Sequence, residues 1–163
     1  CIATDITTGE EVVLDRGYLT KAVNASGALP SLFAPVEIEG QLLIDGGVTD
    51  NYPIDKLKER GMDIIIGVDV QDDLKSLQEL RSALDILSQI NNFRTINDMK
   101  AKAPQTDIYI TPNIAAYTVV SFDQGREIIQ KGEEAAREHA DQLKNLVFDN
   151  YSRPELIVKN VAD

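Results

Sequence analysis

The segment that most constrains the fold is the apolar run at residues 63–70, Asp-Ile-Ile-Ile-Gly-Val-Asp-Val. It lacks the polar alternation of a strand with one face in water. Such a run is typical of a strand buried on both faces, as in a parallel sheet covered by helices. Because predicted strands alternate with predicted helices along the chain, we expect an α/β fold with a mostly parallel sheet.

Two hairpins and several helices complete this outline. Turn residues separate a strand at residues 1–6 from a return strand at residues 11–15, and a second hairpin at residues 36–45 turns at Glu39-Gly40. A further strand is predicted at residues 107–111. Helices are predicted at residues 18–25, at residues 53–60 with Pro53 as first residue and Gly61 as stop signal, from Ser76 to Ala103, and from Asp123 to Leu146.

The two longer helices have predicted caps. Ser76 is followed three residues later by Glu79, the spacing of a capping box. Asp123 is predicted to cap the last helix. An apolar stripe runs from Leu77 to Ile96, and an ordinary core-facing stripe is the preferred interpretation.

Charge and residue content exclude several classes of function. The 163-residue chain has 16 Lys and Arg against 27 Asp and Glu, a net charge of −11, which argues against nucleic-acid binding and against electrostatic docking on anionic lipid. No apolar run is long enough for a transmembrane segment. One Cys and one His cannot build a typical zinc site, and we expect no metal and no cofactor.

The strongest candidate for chemistry is Asp45-Gly46-Gly47, directly after an apolar strand. A carboxylate at the carboxyl end of a strand lies at the edge where α/β sheets build their sites. Two glycines allow neighbouring backbone to approach closely. The alternative is a plain turn, since Asp-Gly is a common turn dipeptide. Against a plain turn, residues 48–53 do not form a clean return strand.

Other polar residues are weaker candidates. Ser26 lacks the glycine two residues earlier that a nucleophile elbow requires, so we interpret it as structural. We expect His139 to be solvated or to support its helix. Asp69 and Asp5 stand at strand ends, where aspartates cap turns. Asn51 and Tyr52 follow the motif, with packing as the expected role.

Several motifs together resemble one known family. The strings Ala22-Val-x-Ala-Ser-x-Ala-Leu-Pro-x-Leu-Phe-x-Pro-Val36, Leu43-Ile-Asp-Gly-Gly-Val48 and Asn51-Tyr-Pro53 resemble the second half of a patatin-like phospholipase domain. The opening Ala3-Thr-Asp-x-x-x-Gly9 resembles the strand that precedes this region. Residues 63–70 and Phe122-Asp-x-Gly-x-x-Ile-Ile-x-x-Gly-Glu-x-Ala135 resemble the bacterial branch of the family.

The resemblance implies a three-layer fold, helices on both sheet faces, and a serine acyl hydrolase with a Ser–Asp dyad. Asp45 would be the aspartate that activates the serine, with Gly46 and Gly47 as motif support. The substrate would be a lipid or another acyl ester, of phospholipase A or esterase type. The alternative interpretation of the Leu77 to Ile96 stripe is then the lining of an acyl channel. A carboxylate needs a close hydrogen bond and partial desolvation to act as this base.

The nucleophile of that family is missing from this sequence. No Gly-x-Ser-x-Gly occurs, and no glycine-rich oxyanion loop precedes the matched motifs. We therefore expect residues 1–148 to be the second half of the hydrolase domain, inactive without a missing N-terminal half. Residues 149–163 would be a linker or the start of a following domain. The alternative function is a non-catalytic module that binds lipid or a partner; the compartment would be a bacterial envelope or the cytoplasm.

Overall fold

A computed structural model describes residues 1–71 and 73–150 of the chain. Its first unit is a four-stranded antiparallel sheet, in the order β2-β1-β4-β3, made of β1 (Ile2–Asp5), β2 (Glu11–Val13), β3 (Val36–Ile38) and β4 (Gln41–Asp45). Both predicted hairpins are confirmed. Glu39 and Gly40 have φ values of 51° and 82°, the positive pair that a tight two-residue hairpin turn requires.

A second sheet contains two parallel strands, β5 (Ile66–Val68) and β6 (Ile108–Ile110). The expectation of a mostly parallel sheet is therefore wrong for the described strands, whereas the α/β composition is confirmed. The physical reason is the length of the connections. Short turns join β1 to β2 and β3 to β4, and only antiparallel strands can be linked in this way. The long connection from β5 to β6 includes a helix and permits parallel pairing.

Within the described residues, five α-helices accompany the strands: α1 (Leu19–Ser26), α2 (Ile54–Glu59), α3 (Ala83–Lys102), α4 (Gly125–Glu138) and α5 (Ala140–Asn150). Pro53 precedes α2 instead of forming its first turn, and Gly61 follows it with φ of 74°, as predicted for a stop. The predicted strand at residues 156–158 and most of the predicted linker at residues 149–163 lie outside the described residues. Those boundaries stay predictions.

The start of α3 corrects the predicted cap. Ser82 accepts a hydrogen bond from the Asp85 backbone N–H, and the Asp85 carboxylate accepts one from the Ser82 N–H, which completes a capping box. Ser76 and Glu79 make side-chain hydrogen bonds as well, but they close a local turn before the helix. The sequence offers the same Ser-x-x-acid spacing twice within ten residues, and only the second copy continues into helix.

The predicted helix from Asp123 to Leu146 is also corrected. It is divided at His139 into α4 and α5, and Asp123 lies in a single 3-10 turn, where it caps neither helix. The His139 N–H donates to the carbonyl of Ala136, a helix-ending bond. Its ring nitrogen Nδ1 lies 2.9 Å from Oε1 of Gln142, which supports the interpretation of this histidine as a helix-stabilising residue.

Three small apolar clusters hold these elements together. α1 packs on the four-stranded sheet through Ala3, Ala25 and Leu43. The second cluster joins Tyr52 and Ile54 at the start of α2, Ile65 just before β5, and Met99 on α3. α4 covers β6 through Ala135. The second cluster places α3 beside the segment that follows Asp45. The three-layer arrangement stays a prediction.

The expectation that β5 is buried on both faces is wrong. Ile65 and Gly67 are buried, whereas Ile66 and Val68 are 47% and 51% exposed. Side chains alternate between the faces of a strand, so one face of β5 packs on Tyr52 and the other meets solvent in this chain. A hydroxyl of Tyr52 occupies the position that a Cβ on Gly67 would need, which explains the glycine inside an apolar run.

Candidate active site

The backbone of Asp45 is fixed from two sides at the end of β4. Its N–H donates to the carbonyl oxygen of Ala28 over 3.0 Å, in the loop that follows α1. Its own carbonyl accepts the hydroxyl of Thr4 over 2.9 Å, from the central strand β1. Thr4 is 2% exposed, so this second hydrogen bond lies inside the protein. The backbone of Asp45 is therefore held in place by two hydrogen bonds.

The carboxylate of Asp45 is half-buried and held by the turn that follows it. Its Oδ1 accepts the Gly47 backbone N–H over 2.6 Å. Burial raises the pKa of the Asp45 carboxyl above its usual range, although the Gly47 hydrogen bond acts in the opposite direction. Within residues 1–71 and 73–150, no donor reaches Oδ2. One oxygen is thus anchored, and the other is free to accept a proton.

The two glycines are required by close packing. A Cβ on Gly46 would overlap the carbonyl oxygen of Ile2 on β1 and lie 2.6 Å from its carbonyl carbon. A Cβ on Gly47 would lie 2.7 Å from Oδ1 of Asn51 and 2.9 Å from the Asp45 carboxylate. The residues after Asp45 form a 3-10 turn, Gly46–Val48, so the segment is not a hairpin turn.

This turn is tied to the neighbouring elements by polar contacts. The hydroxyls of Thr4 and Thr49 lie 2.9 Å apart, and the Asp50 N–H donates to the Gly46 carbonyl. Farther along, Nζ of Lys102 on α3 is 2.8 Å from Asp50 and 3.3 Å from Asp55. Burial acts to lower the pKa of Lys102, but its hydrogen bonds to both carboxylates outweigh this and raise it.

Arg94 is a contact that the sequence analysis missed. Its guanidinium, on α3, donates to the carbonyl oxygen of Thr49 over 2.6 Å, to that of Val48, and to that of Gly47 over 3.4 Å. One cation therefore covers three successive carbonyls of the turn. The sequence carries no signal for this contact, because 46 residues separate Arg94 from Val48 and no motif surrounds it.

The other strand-end aspartates are structural, as expected. Asp5 accepts hydrogen bonds from the backbone and hydroxyl of Thr7 and from the amide of Gln41, and the Thr7 bonds hold the pKa of its carboxyl below the usual range. Asp69 accepts the Gln71 N–H over 2.8 Å and the hydroxyl of Tyr109. Both carboxylates are engaged in closing local turns.

Tyr52 and Asn51 connect the Asp45 turn to neighbouring segments. Tyr52 is 6% exposed, with its hydroxyl 3.0 Å from that of Thr106 and its ring in edge contact with Tyr109. Asn51 donates to the side chain of Gln71 over 2.6 Å. Tyr52 thus packs between the turn and β5, and Asn51 links the turn to the end of β5. Ser26, at the last position of α1, is not part of an elbow.

The predicted core-facing stripe is wrong for four of its members, whereas Leu80 and Ile96 are half-buried. Leu77, which precedes the helix, is 84% exposed; on α3, Leu87, Ile90 and Phe93 are each more than 50% exposed. The helix packs through the opposite side, where Thr95 and Met99 are buried. Apolar residues lie on both sides of α3, so their periodicity did not identify the side that packs. The acyl-channel interpretation stays a prediction.

One apolar depression lies near the candidate site. Its volume is about 350 Å³, and its lining includes Val23, Gly27, Ala28, Phe33 and Val36. Asp45 does not line it, but Ala28, whose carbonyl accepts the Asp45 N–H, does.

No helix within residues 1–71 and 73–150 is long and apolar enough to cross a membrane. In the same part of the chain, no group of three or more His, Cys, Asp or Glu side chains is placed to hold a metal ion.

Comparison with known proteins connects this site to a family. Residues 3–58 match the family model described as Patatin-like phospholipase. The matched range contains the four-stranded sheet from Ala3 onward, the Asp45 turn and most of α2. It is about a third of the chain. The match therefore covers the candidate site and leaves the β5–β6 unit outside it.

Fungal lysophospholipases are similar over most of the chain. Lysophospholipase NTE1 of Coccidioides immitis is 28% identical over 170 residues, covering 89% of this chain and 11% of that protein. The NTE1 proteins of Candida glabrata and Aspergillus terreus are 27% and 26% identical, covering 81% and 89% of this chain. The chain spans about a tenth of the length of these relatives. Together the matches support a patatin-like fragment. Because these relatives are fungal, the expected bacterial origin is not supported.

Proposed function

We propose that this chain supplies the aspartate of a Ser–Asp dyad in an enzyme that hydrolyses lipid acyl esters, of phospholipase A or esterase type. The observation that carries the proposal is the state of the Asp45 carboxylate. Oδ1 is anchored by Gly47, Oδ2 accepts no hydrogen bond from the described residues, and burial raises the carboxyl pKa. The family match over residues 3–58 supports the same assignment.

In the proposed reaction, Asp45 acts as a general base. The serine hydroxyl gives its proton to Oδ2 while its oxygen attacks the acyl carbonyl carbon. The tetrahedral intermediate then expels the alcohol, which takes the proton from Asp45, and leaves an acyl-serine. Water, deprotonated by the same carboxylate, hydrolyses that ester and restores the serine. Desolvation matters because a carboxylate at its ordinary pKa of about 4 is a weak base.

The serine and the oxyanion donors would come from residues outside this chain. Gly-x-Ser-x-Gly is absent from the sequence. The exposed apolar side chains of Ile66, Val68 and Val70 support this proposal, since a missing half of the domain would cover such residues. The proposal places residues 1–148 in the second half of the hydrolase domain.

The test is steady-state hydrolysis of a soluble acyl ester and of a lysophospholipid by the full-length protein. Asp45→Asn preserves shape and removes the base, so kcat is expected to fall by about 10²–10⁴. Asp141→Asn is the matched control, because its side chain is 97% exposed on α5. Equal turnover by the Asp45→Asn variant and this control would reject Asp45 as the base.

A non-catalytic module that binds lipid is the second candidate. The apolar depression beside Ala28 favours it, together with the absence of the serine motif. This candidate predicts vesicle binding without turnover in the full-length protein. Hydrolysis that depends on Asp45 contradicts it.

A further inference from the structure

The candidate base depends on a turn whose carbonyl groups need a partner. Gly46–Val48 is a single 3-10 turn, and the carbonyls at the end of such a turn lack partners within it. Arg94 meets three of them, on Gly47, Val48 and Thr49. An arginine fork provides several N–H donors in a fixed plane, and a positive charge complements the negative end of a helical turn.

The same turn determines where the Asp45 carboxylate lies. Asp45 is its N-terminal cap, and the Gly47 N–H that holds Oδ1 belongs to the peptide plane that precedes the Gly47 carbonyl. A change in the carbonyl directions of Gly47 and Val48 therefore rotates the backbone that holds Oδ1. Arg94 does not touch the carboxylate, so any effect on catalysis passes through the turn.

α3 is well placed to serve as a brace. Thr95, the next residue after Arg94, and Met99, five residues after it, are buried, and Lys102 forms ion pairs with Asp50 and Asp55. The helix is thus fixed beside the segment that begins with Gly47. The guanidinium is held on a packed helix and contacts the turn over a short distance.

We propose that Arg94 is a positioning residue, which holds the Gly46–Val48 turn so that the Asp45 carboxylate meets the serine in the productive geometry. This inference rests on the proposed function. A displacement of about 1 Å at a reacting group can lower turnover by about 10². Arg94→Ala is therefore expected to lower kcat by about 10- to 100-fold with little change in KM, because the proposed role concerns the position of the base.

The experiment uses the full-length protein with the variants Arg94→Ala, Arg94→Lys and Arg137→Ala. Arg137 is the control, because it is exposed on α4 and pairs only with Glu133 among the described residues. A fluorophosphonate titration counts competent sites, so kcat is expressed per competent site. Guanidinium chloride at millimolar concentration is expected to restore part of the turnover of Arg94→Ala. It should restore no turnover in a variant that is inactive because it is misfolded.

The expected result is a lower kcat per site for Arg94→Ala, an intermediate value for Arg94→Lys and no change for Arg137→Ala. Amide exchange of Gly47, followed without any substrate, is expected to accelerate in Arg94→Ala. Wild-type kcat per site in Arg94→Ala overturns the proposal, as does a loss seen only as fewer competent sites. If Arg94→Ala does not fold, wild-type kcat per site in Arg94→Lys overturns it.

Asp45→Asn separates this inference from the proposed function. If that variant keeps its turnover, Asp45 is not the base and both proposals fail. If Asp45→Asn is inactive while the Arg94 variants resemble wild type, only the positioning role is rejected.

Discussion

The backbone N–H of Asp45 donates to the carbonyl oxygen of Ala28 over 3.0 Å and so joins two segments that are far apart in the sequence. Ala28 belongs to the small-residue segment after α1, and Asp45 ends β4. The hydrogen bond ties the backbone of Asp45 to a residue that lines the apolar depression. The close approach of Gly46 to Ile2 fixes it from the other side.

Gly46→Ala is expected to destabilise the protein by about 1–3 kcal/mol or more, because the new methyl group overlaps the backbone of Ile2, which cannot move like a side chain. Gly132→Ala is the control, since a Cβ there meets nothing within 4 Å and alanine favours the α4 helix by up to about 1 kcal/mol. Urea unfolding measures both. Equal stability of the two variants would contradict the packing described at Gly46.

Asp45→Asn is expected to retain or raise the free energy of unfolding at pH 7. The Asn side-chain oxygen still accepts the Gly47 N–H, and the variant no longer buries a charge. The folded-state pKa of Asp45 is raised, so wild type gains stability as the pH falls through that pKa toward the unfolded value. The advantage of the variant over wild type should therefore shrink on acidification. An advantage that grows as the pH falls would reject the raised pKa.

Ser82→Ala is expected to cost about 1 kcal/mol, whereas Ser76→Ala should cost at most a few tenths. Ser82 caps a helix of 20 residues, and Ser76 closes an exposed local turn. Thermal or urea unfolding of the two variants distinguishes the start of α3 at Ala83 from the start predicted at Ser76. A larger loss of stability in Ser76→Ala than in Ser82→Ala would instead support a helix that starts at Ser76.

The isolated 163-residue chain is expected to show no hydrolysis of acyl esters, because it contains no Gly-x-Ser-x-Gly. The full-length protein provides the positive control under the same conditions. Turnover by the isolated chain that disappears in Asp45→Asn would show that a hydroxyl within this sequence is the nucleophile.

Local signals in the sequence predicted most elements correctly. The turn at Glu39-Gly40 and the stop at Gly61 follow from residues that tolerate positive φ, which the structure shows at those positions. The close packing at Gly46 and Gly47 was likewise expected from two adjacent glycines, whereas the catalytic role of Asp45 stays a prediction. These features depend on neighbours in the sequence, so a single chain is enough to predict them.

Long-range features were not predictable in the same way. The exposed side of β5 and the packing side of α3 depend on which apolar surface finds a partner, and periodicity does not show this when both sides are apolar. The Arg94 contact with the Asp45 turn joins residues that no motif connects. The capping residue of α3 was also not predictable, because Ser76 and Ser82 are each followed by an acidic residue three positions later and only Ser82 is followed directly by helix.

The most direct test of the role of Asp45 is the rate at which a fluorophosphonate labels the nucleophile in the full-length protein. Labelling requires only activation of the serine, so it is independent of deacylation and product release. Asp45→Asn should slow labelling by about 10²–10⁴ relative to Asp141→Asn, without loss of folded protein. Equal labelling rates in the two variants would contradict the assignment of Asp45 as the base.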